Sequence, residues 1–303
     1  MKRQHVGILM LTLLLAGCAS SQPATGTIMI GNIPFRYVRE GSGPTVAVVG
    51  SGVYYPKAYS PDLRKHFDMI FVDARYNIPS YQPTDEEIAR ITFETFADDL
   101  EEVRRLLGVQ HWAVIGHSIS AQTAIAYAKK YPKTTTRLVV IDGVPFSESE
   151  FRAEAEKFFR DDASLERKTA LAQASANLDS VLAATAPERR MAVAYNAQAA
   201  MNWADPHYDA TKLLDGFAPS PAFERLTTGV RSKSEMREML HGIGPIMWVH
   251  GRLDYNIPYF AAQQLLEGLP NSTYRLLESD GHNPMTEAPE RFNPVLIDFL
   301  TKP

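Results

Sequence analysis

Val114-Ile115-Gly116-His117-Ser118-Ile119-Ser120-Ala121 carries an apolar strand pattern into a tight turn, and a helical pattern follows over residues 123–128. The small Gly116 lets the strand and the helix approach closely enough to force that turn. A serine hydroxyl is a poor nucleophile, so it needs a base within reach and a backbone N–H that can receive an oxyanion. This context predicts Ser118 as a nucleophile. The alternative is an ordinary strand-to-helix turn with a capping serine.

The beginning of the chain predicts export. Lys2 and Arg3 precede an apolar run from Val6 to Leu15, which is too short to span about 30 Å of hydrocarbon and is typical of a secretory signal. The run ends in Leu15-Ala16-Gly17-Cys18, which resembles a bacterial lipoprotein box with lipid attachment at Cys18. The alternative is an ordinary signal peptide that happens to contain a cysteine.

We therefore predict a signal peptide over residues 1–17 and a flexible tether over residues 18–26. Ala19, not aspartate, follows the cysteine, which in a two-membrane bacterium resembles the outer-membrane sorting pattern. The expected location is extracytoplasmic, on the outer membrane or the periplasmic face if the host has two membranes. The membrane is then a partner through the lipid anchor. Cys18 is the single cysteine, so no disulfide framework is possible.

Composition narrows the function classes. The net charge is −4 and no basic block suggests a nucleic-acid partner. No metal-ligand spacing, phosphate-binding glycine loop or cofactor fingerprint occurs, so we expect neither a metal nor a cofactor. With 45% hydrophobic residues in 303, the chain can bury a sizeable core as one large domain or as a domain with an insertion.

Apolar runs and helical patterns alternate along the mature chain and predict a mostly parallel sheet. Predicted strands cover residues 27–30, 34–39, 45–49, 68–73, 112–115, 138–141, 246–250 and 273–277, and predicted helices cover residues 92–107, 258–269 and 289–300. Near-continuous apolar runs suit strands that are buried on both faces. We expect an α/β fold with a doubly wound sheet from residues 27–145 and 243–303. Residues 146–242 are helical, charged and Ala-rich, and predict a lid over the carboxyl edge of that sheet.

Two more candidate residues follow predicted buried strands. Asp254 lies in the loop after one strand and His282 in the loop after the last. His282 would take the Ser118 proton and return it to the leaving group, while Asp254 would hold the imidazole tautomer. A loop histidine that only makes a turn hydrogen bond is the alternative for His282. Asp142 also ends a strand and is the alternative acid, although we prefer a turn role for it before Gly143.

Three motifs together resemble the α/β-hydrolase superfamily, and the resemblance covers nearly all of the mature chain. They are residues 116–120, the loop of residues 251–258, and Gly281-His282. The resemblance implies the order Ser, Asp, His and a serine hydrolase that forms an acyl-enzyme. Ser120 departs from the usual G-x-S-x-G pattern, because it stands at the last glycine.

The resemblance also implies an oxyanion site. One donor would be the N–H of Ile119, directly after the nucleophile, and the other an N–H from the loop after the third strand. Family members usually have His-Gly in that loop, whereas this chain has Gly-Ser-Gly-Val at residues 50–53. The second donor is therefore predicted as Gly52, or as Val53 if the alignment slips by one residue.

A further family pattern begins at Asp73-Ala74-Arg75, and its following glycine is replaced by Tyr76. We predict that Asp73 and Arg75 form a structural ion pair near the pocket.

Within the superfamily the chain resembles the proline iminopeptidase group through residues 282–290 and the lid stretch 203–209. This implies removal of an N-terminal residue, favouring proline, from a short peptide. A carboxylesterase is the alternative, and a catalytically inert lipoprotein that binds ligands on the same fold is a third. Four lid acids could bind the substrate amine or form a solvated helix face: Glu148, Glu150, Glu154 and Glu156. Five lid residues could line the pocket or form lid core: Phe158, Phe159, Met201, Trp203 and Tyr208.

Overall fold

An eight-stranded sheet organises the part of the chain that the structure describes, residues 24–302 of a computed structural model. The predicted signal peptide, Cys18 and most of the tether lie outside the described residues. The strands are β1 (Ala24–Ile30), β2 (Ile33–Gly41), β3 (Thr45–Gly50), β4 (Asp68–Asp73), β5 (Trp112–His117), β6 (Thr135–Ile141), β7 (Ile246–Gly251) and β8 (Ser272–Leu277). Because β1 begins at Ala24, the last three residues of the predicted tether belong to the sheet.

The sheet has the order β1-β2-β4-β3-β5-β6-β7-β8. Pairs β1–β2 and β2–β4 are antiparallel, and every later pair is parallel. The predicted fold class is confirmed. All residues of β4, β5 and β7 are buried, as their continuous apolar runs predict. Alternate residues of β3 enter two different core clusters, Ala47 and Val49 one of them and Val46 and Val48 the other. The sheet is therefore the middle layer between two packed faces.

Helices cover both faces and fill the insertion between β6 and β7. They are α1 (Tyr55–Ala58), α2 (Asp85–Ile88), α3 (Phe93–Leu106), α4 (Ser120–Lys130), α5 (Arg152–Asp162), α6 (Leu165–Ser175), α7 (Leu178–Ala184), α8 (Pro187–Ala197), α9 (Ala199–Asn202), α10 (Thr211–Leu214), α11 (Phe223–Leu226), α12 (Lys233–Leu240), α13 (Tyr259–Leu266), α14 (Pro284–Glu287) and α15 (Pro289–Thr301). Short 3₁₀ turns lie at Pro61–Lys65, Arg75–Asn77 and Glu148–Glu150. Within residues 24–302, no helix combines the length and apolar character needed to cross a bilayer.

One buried arginine ties the inserted helices together above the sheet. Arg167 of α6 donates to the carbonyl oxygens of Ala200 and Trp203 at 2.7 Å each and of Ala204 at 2.6 Å. On the other side, the Glu287 carboxylate accepts the N–H of Ala204 at 2.6 Å. The segment from α9 to Ala204 is thus fixed between α6 and α14. We call residues 146–242, which include α5 to α12, the lid.

Candidate active site

Ser118 stands at the strained turn between β5 and α4. Its φ of +53° lies in the left-handed region, which costs an ordinary residue about 1–2 kcal/mol. The turn is held because the Ser118 N–H donates to Ile141 at 3.1 Å and the Ser118 carbonyl accepts from Ala121 at 3.2 Å. A Cβ on Gly116 would lie 2.6 Å from Ala121 Cα, so strand and helix approach this closely only at a glycine.

His282 and Asp254 form a buried pair. Nδ1 of His282 lies 2.7 Å from Oδ2 of Asp254. The other oxygen, Oδ1, accepts the N–H groups of Asn256 at 3.0 Å and Ile257 at 2.9 Å. Because the carboxylate accepts, Nδ1 carries the proton, and Nε2 of His282 is left with a lone pair. The imidazole is therefore held in the tautomer that can accept a proton.

Asp142, the alternative acid, has a different partner. Its Oδ1 accepts the N–H of Gly251 at 2.8 Å, and its φ of +40° follows the end of β6. The carboxylate that bonds His282 is that of Asp254.

His117 holds the His282 backbone, a contact that sequence reasoning missed. The two rings have centroids 4.6 Å apart. Nε2 of His117 donates to the His282 carbonyl at 2.8 Å, and Nδ1 accepts from the Tyr55 hydroxyl at 3.1 Å. Burial lowers the pKa of His117 well below its ordinary value, so the ring is neutral and can accept from the tyrosine. The only available sequence signal was the position of His117 directly before the serine.

Glu287, the last residue of α14, holds the same loop and was also missed by sequence reasoning. Besides Ala204, its carboxylate accepts the N–H groups of Gly281 at 3.1 Å and Asn283 at 2.9 Å. The lid contributes as well, because the His282 N–H donates to the Asn202 carbonyl at 2.6 Å. The loop that carries His282 is thus fixed by a carboxylate and by the lid backbone.

Both predicted second oxyanion donors are already engaged. The Gly52 N–H donates to Oδ1 of Asp73 at 2.6 Å, and the Val53 N–H donates to Oγ of Ser51 at 3.1 Å. Neither residue lines the cavity that contains Ser118, whereas Ser51 and Ile119 do. Burial raises the pKa of Asp73 to about 6.

A small cavity of about 130 Å³ brings these residues together. Its first wall, the sheet wall, consists of residues from the strand-end loops and the start of α4: Ser51, Tyr54, Tyr55, Asn77, His117, Ser118, Ile119, Ser120 and His282. Its second wall, the lid wall, consists of Met191, Tyr195, Leu214, Phe217 and Phe223. No aspartate, glutamate, lysine or arginine is among these described lining residues. The chamber is mostly apolar, with a few uncharged polar groups such as the Tyr195 hydroxyl.

Comparison with known proteins shows the family of this chain. A family model described as alpha/beta hydrolase fold matches residues 47–289. The chain belongs to the α/β-hydrolase family. It is 30% identical over 269 residues to the AB hydrolase superfamily protein YclE of Bacillus subtilis (strain 168), covering 87% of this chain and 94% of that protein.

Two further likenesses are more distant. The putative carbamate hydrolase RutD of Caulobacter sp. (strain K31) is 25% identical to this chain, and the match covers 69% of this chain and 73% of that protein. An alpha/beta fold family hydrolase from Bacillus anthracis str. Sterne has a solved structure that superposes with a TM-score of 0.66. The two chains are 19% identical, and the superposition covers 92% of this chain and 100% of the other. This likeness shows the fold alone.

Two departures from the α/β-hydrolase patterns contact each other. Ser120 replaces the last glycine of the nucleophile motif, and Tyr76 replaces the glycine after Arg75. The Tyr76 hydroxyl donates to Ser120 Oγ at 3.0 Å and lies 3.3 Å from the Thr123 hydroxyl. Each buried polar group therefore satisfies the other, which explains how this α/β-hydrolase tolerates both replacements.

The predicted Asp73–Arg75 ion pair is wrong. Arg75 bonds both oxygens of Asp99, at 2.5 and 2.7 Å, while Asp73 accepts from the Gly52 backbone. Asp99 is on α3, so its distance in sequence hid the partner.

The lid candidates do not line the cavity. The four lid acids, Glu148, Glu150, Glu154 and Glu156, are exposed. Phe158 stacks on Tyr255 at 4.8 Å, and Trp203 stacks on Tyr208 at 3.8 Å. The aromatic candidates thus pack within the lid and against the loop after β7, as the lid-core alternative predicts.

Proposed function

We propose that this α/β-hydrolase is a serine hydrolase that cleaves small, uncharged carboxylic esters through an acyl-enzyme on Ser118. One observation carries the proposal: a strained serine and a carboxylate-bound histidine line the same small apolar cavity. A nucleophile, a base and an orienting acid are the parts that acyl transfer needs.

The reaction follows from the tautomer of His282. Ser118 Oγ attacks the ester carbonyl carbon while Nε2 of His282 takes the hydroxyl proton, and Asp254 stabilises the resulting imidazolium. The tetrahedral intermediate expels the alkoxide, which receives that proton from Nε2 and leaves as an alcohol. Water then gives a proton to Nε2 and attacks the acyl-enzyme. Collapse releases the acid and returns the proton to Ser118.

Ile119 and Ser51 are the oxyanion donors in this proposal. Ile119 is the N-cap residue of α4 and lies at the end of the helix where N–H groups lack partners within the helix. Ser51 replaces the predicted Gly52 and Val53, because it lines the cavity and their N–H groups are engaged. The Ser51 side chain accepts from Val53 and from Tyr54, at 3.1 and 3.0 Å, which supports a fixed loop.

The cavity favours an ester over a peptide with a free amine. A cavity of about 150 Å³ holds a benzene-sized molecule, so about 130 Å³ suits an acyl group of a few carbons. A substrate ammonium would lose water without meeting a carboxylate among the described lining residues, which is costly. The predicted proline aminopeptidase activity therefore gains no support from the lining. A carbamate, named for one relative, has an acyl carbonyl and belongs in the substrate panel.

A fluorophosphonate probe tests the reaction class. We expect wild type to be labelled and Ser118→Ala, matched in folding by circular dichroism, to remain unlabelled. Equal labelling of both proteins, or none of folded wild type, would leave the inert binding module as the better account.

A substrate panel tests the chemistry further. It compares p-nitrophenyl acetate and butyrate with a p-nitrophenyl carbamate, proline p-nitroanilide and its N-acetylated form. We expect rapid turnover of the esters and little of the free prolyl amide. Preference for the prolyl amide, with most of the rate lost on acetylation, would restore the aminopeptidase.

We also propose that the protein is exported and lipid-anchored at Cys18, on the strength of the sequence pattern at residues 2–18. Metabolic fatty-acid labelling should mark wild type and not Cys18→Ser. Unlabelled wild type in the cytosol would refute this location.

A further inference from the structure

Two buried carboxyl groups lie side by side at the ends of β6 and β7. Asp142 and Asp254 are both fully buried. One oxygen of each carboxylate and one ring nitrogen of His250 lie within 4.8 Å of one another. Oδ1 of Asp142 accepts the Gly251 N–H, whereas Oδ2 is buried and has no hydrogen-bond partner among residues 24–302. A buried acceptor oxygen beside a second buried carboxylate is satisfied when one proton lies between the two groups.

The surroundings supply no permanent cation to balance two charges. The titratable groups that act on Asp142 come from several segments: Asp254 after β7, His250 on β7, Tyr274 on β8 and Glu287 on α14. Among the described residues, the ion pairs of Asp142 and Asp254 involve histidines only. Two ionised carboxylates here would repel each other, because both are fully buried.

His250 does not supply the charge. Its Nε2 donates to the Ile257 carbonyl at 2.7 Å, and lies 3.5 Å from Asp142 Oδ1 and 3.8 Å from Asp254 Oδ2. Burial lowers the pKa of His250, so the ring is neutral. The nitrogen that faces the carboxylates thus already gives its proton to a carbonyl.

A metal ion fits this cluster poorly. Both oxygens of Asp254 are used, one by two backbone N–H groups and the other by His282. A cation at this point would displace the His282 bond as well as the Ile257 bond of His250. A single proton needs no such rearrangement.

We infer that Asp142 is a positioning residue that stays protonated, with its carboxyl O–H donating to the Asp254 carboxylate that orients His282. The inference rests on the proposed triad of Ser118, His282 and Asp254. Burial first, and the neighbouring Asp254 charge second, raise the pKa of Asp142 well above its ordinary value. The shared proton leaves Asp142 and Asp254 with one negative charge between them. The imidazolium of His282 therefore faces a single counter-ion, the Asp254 carboxylate, and the Asp142 O–H fixes the orientation of that carboxylate.

Two uncharged substitutions at Asp142 test whether its side chain donates a hydrogen bond to Asp254. Asparagine keeps a donor, and glycine removes it. Asparagine tolerates the left-handed φ of +40°, can accept from Gly251 through Oδ1, and can donate from Nδ2 as the carboxyl does. Glycine also fits that φ but removes the donor. The measurement is the rate of fluorophosphonate labelling as a function of pH, which needs no knowledge of the natural substrate.

We expect Asp142→Gly to lose about tenfold to a hundredfold in labelling rate, and Asp142→Asn to recover most of that loss. The midpoint of the pH profile should stay within about 0.3 units in Asp142→Asn, because one neutral group replaces another. It should move upward in Asp142→Gly, since an Asp254 carboxylate without its donor attracts the imidazolium proton more strongly. A midpoint lowered by about one unit or more in Asp142→Asn would show that Asp142 is ionised, and would overturn the inference.

Infrared difference spectroscopy gives a readout that does not depend on activity. The wild-type minus Asp142→Asn spectrum at neutral pH should contain the C=O stretch of a protonated carboxyl group. Absence of that band would overturn the inference even if wild type is active. If the band is present and wild type is not labelled by the probe, Asp142 is protonated as inferred, but the proposed hydrolase function fails.

Discussion

The two walls of the cavity differ in how they are held. In the sheet wall, Ser118 is fixed by backbone hydrogen bonds at the end of β5, and His282 by Asp254 and by His117. The lid wall is built from apolar side chains of short helices and loops, and one of its few polar links is the Tyr195 hydroxyl, which accepts from Asn283 at 3.0 Å. Apolar contacts have no preferred direction, whereas hydrogen bonds do.

This difference assigns a separate task to each wall. Reaction geometry must hold to a fraction of an ångström, so it belongs on the directed, hydrogen-bonded sheet wall. Selection by size and polarity needs only volume and an apolar surface, which the lid wall provides. Changes in the sheet wall should therefore alter rate for every substrate, and changes in the lid wall should alter choice among substrates.

The largest effect is expected from Asp254→Asn. The amide keeps the shape but favours the wrong tautomer of His282, so the ester kcat should fall about 10⁴-fold while the fold is kept. Ester kinetics measure kcat, and circular dichroism shows whether the fold is kept. Near-wild-type turnover would mean that the bond between Asp254 and His282 does not orient the base.

A smaller effect is expected from the anchor of the lid. Arg167→Met leaves the carbonyl oxygens of Ala200, Trp203 and Ala204 without their donor, and should lower the free energy of unfolding by about 3 kcal/mol. Urea denaturation measures this change in the free energy of unfolding. The matched control is Arg160→Met, an exposed change that should stay within about 0.5 kcal/mol. Equal results for both would show that the lid does not depend on its buried cation.

Asp73, which accepts the Gly52 N–H in the loop after β3, should make stability depend on pH. Its pKa is raised from 3.8 to about 6 because burial disfavours the carboxylate. Between those values the folded state binds more proton than the unfolded state, so its stability contribution is full at low pH and falls as pH rises through about 6.

The Asp73→Asn variant keeps an acceptor for the Gly52 N–H and has no such titration. Relative to the variant, wild type should lose about 2 kcal/mol of unfolding free energy between pH 4 and pH 7. Urea denaturation at both pH values measures the difference. A constant difference across that range would show that Asp73 titrates equally in both states.

The smallest effect is expected from the lid wall. Met191→Ala enlarges the cavity, so kcat/KM for p-nitrophenyl octanoate relative to butyrate should rise about fivefold to tenfold, with the butyrate value nearly unchanged. Met201→Ala is the matched control, since Met201 is in the lid but does not line the cavity. If both variants shift the ratio equally, or neither does, the lid wall does not select by size.

Ser118, Asp254 and His282 were predictable as candidates because each follows a predicted parallel strand, and the carboxyl ends of parallel strands meet at one edge. The strand ends were also well placed, with β4 over residues 68–73 as predicted. The lining of the lid wall was not predictable. The helices of the lid wall are short. The sequence also does not distinguish an aromatic residue that packs inside the lid, as Phe158 and Trp203 do, from one that faces a substrate.

The sequence alone determined a mostly parallel α/β sheet, and its motifs supplied the resemblance to the α/β-hydrolase superfamily that implies the order of the candidate catalytic residues. The sheet follows from local periodicity, turn residues and the handedness of crossovers, all of which act over short stretches. Only the tertiary structure decided which partners meet across long separations: Arg75 with Asp99, Tyr76 with Ser120, and Asp142 with Asp254. Such pairs form because burial removes water from polar groups that must then find each other, and no spacing along the chain records that requirement.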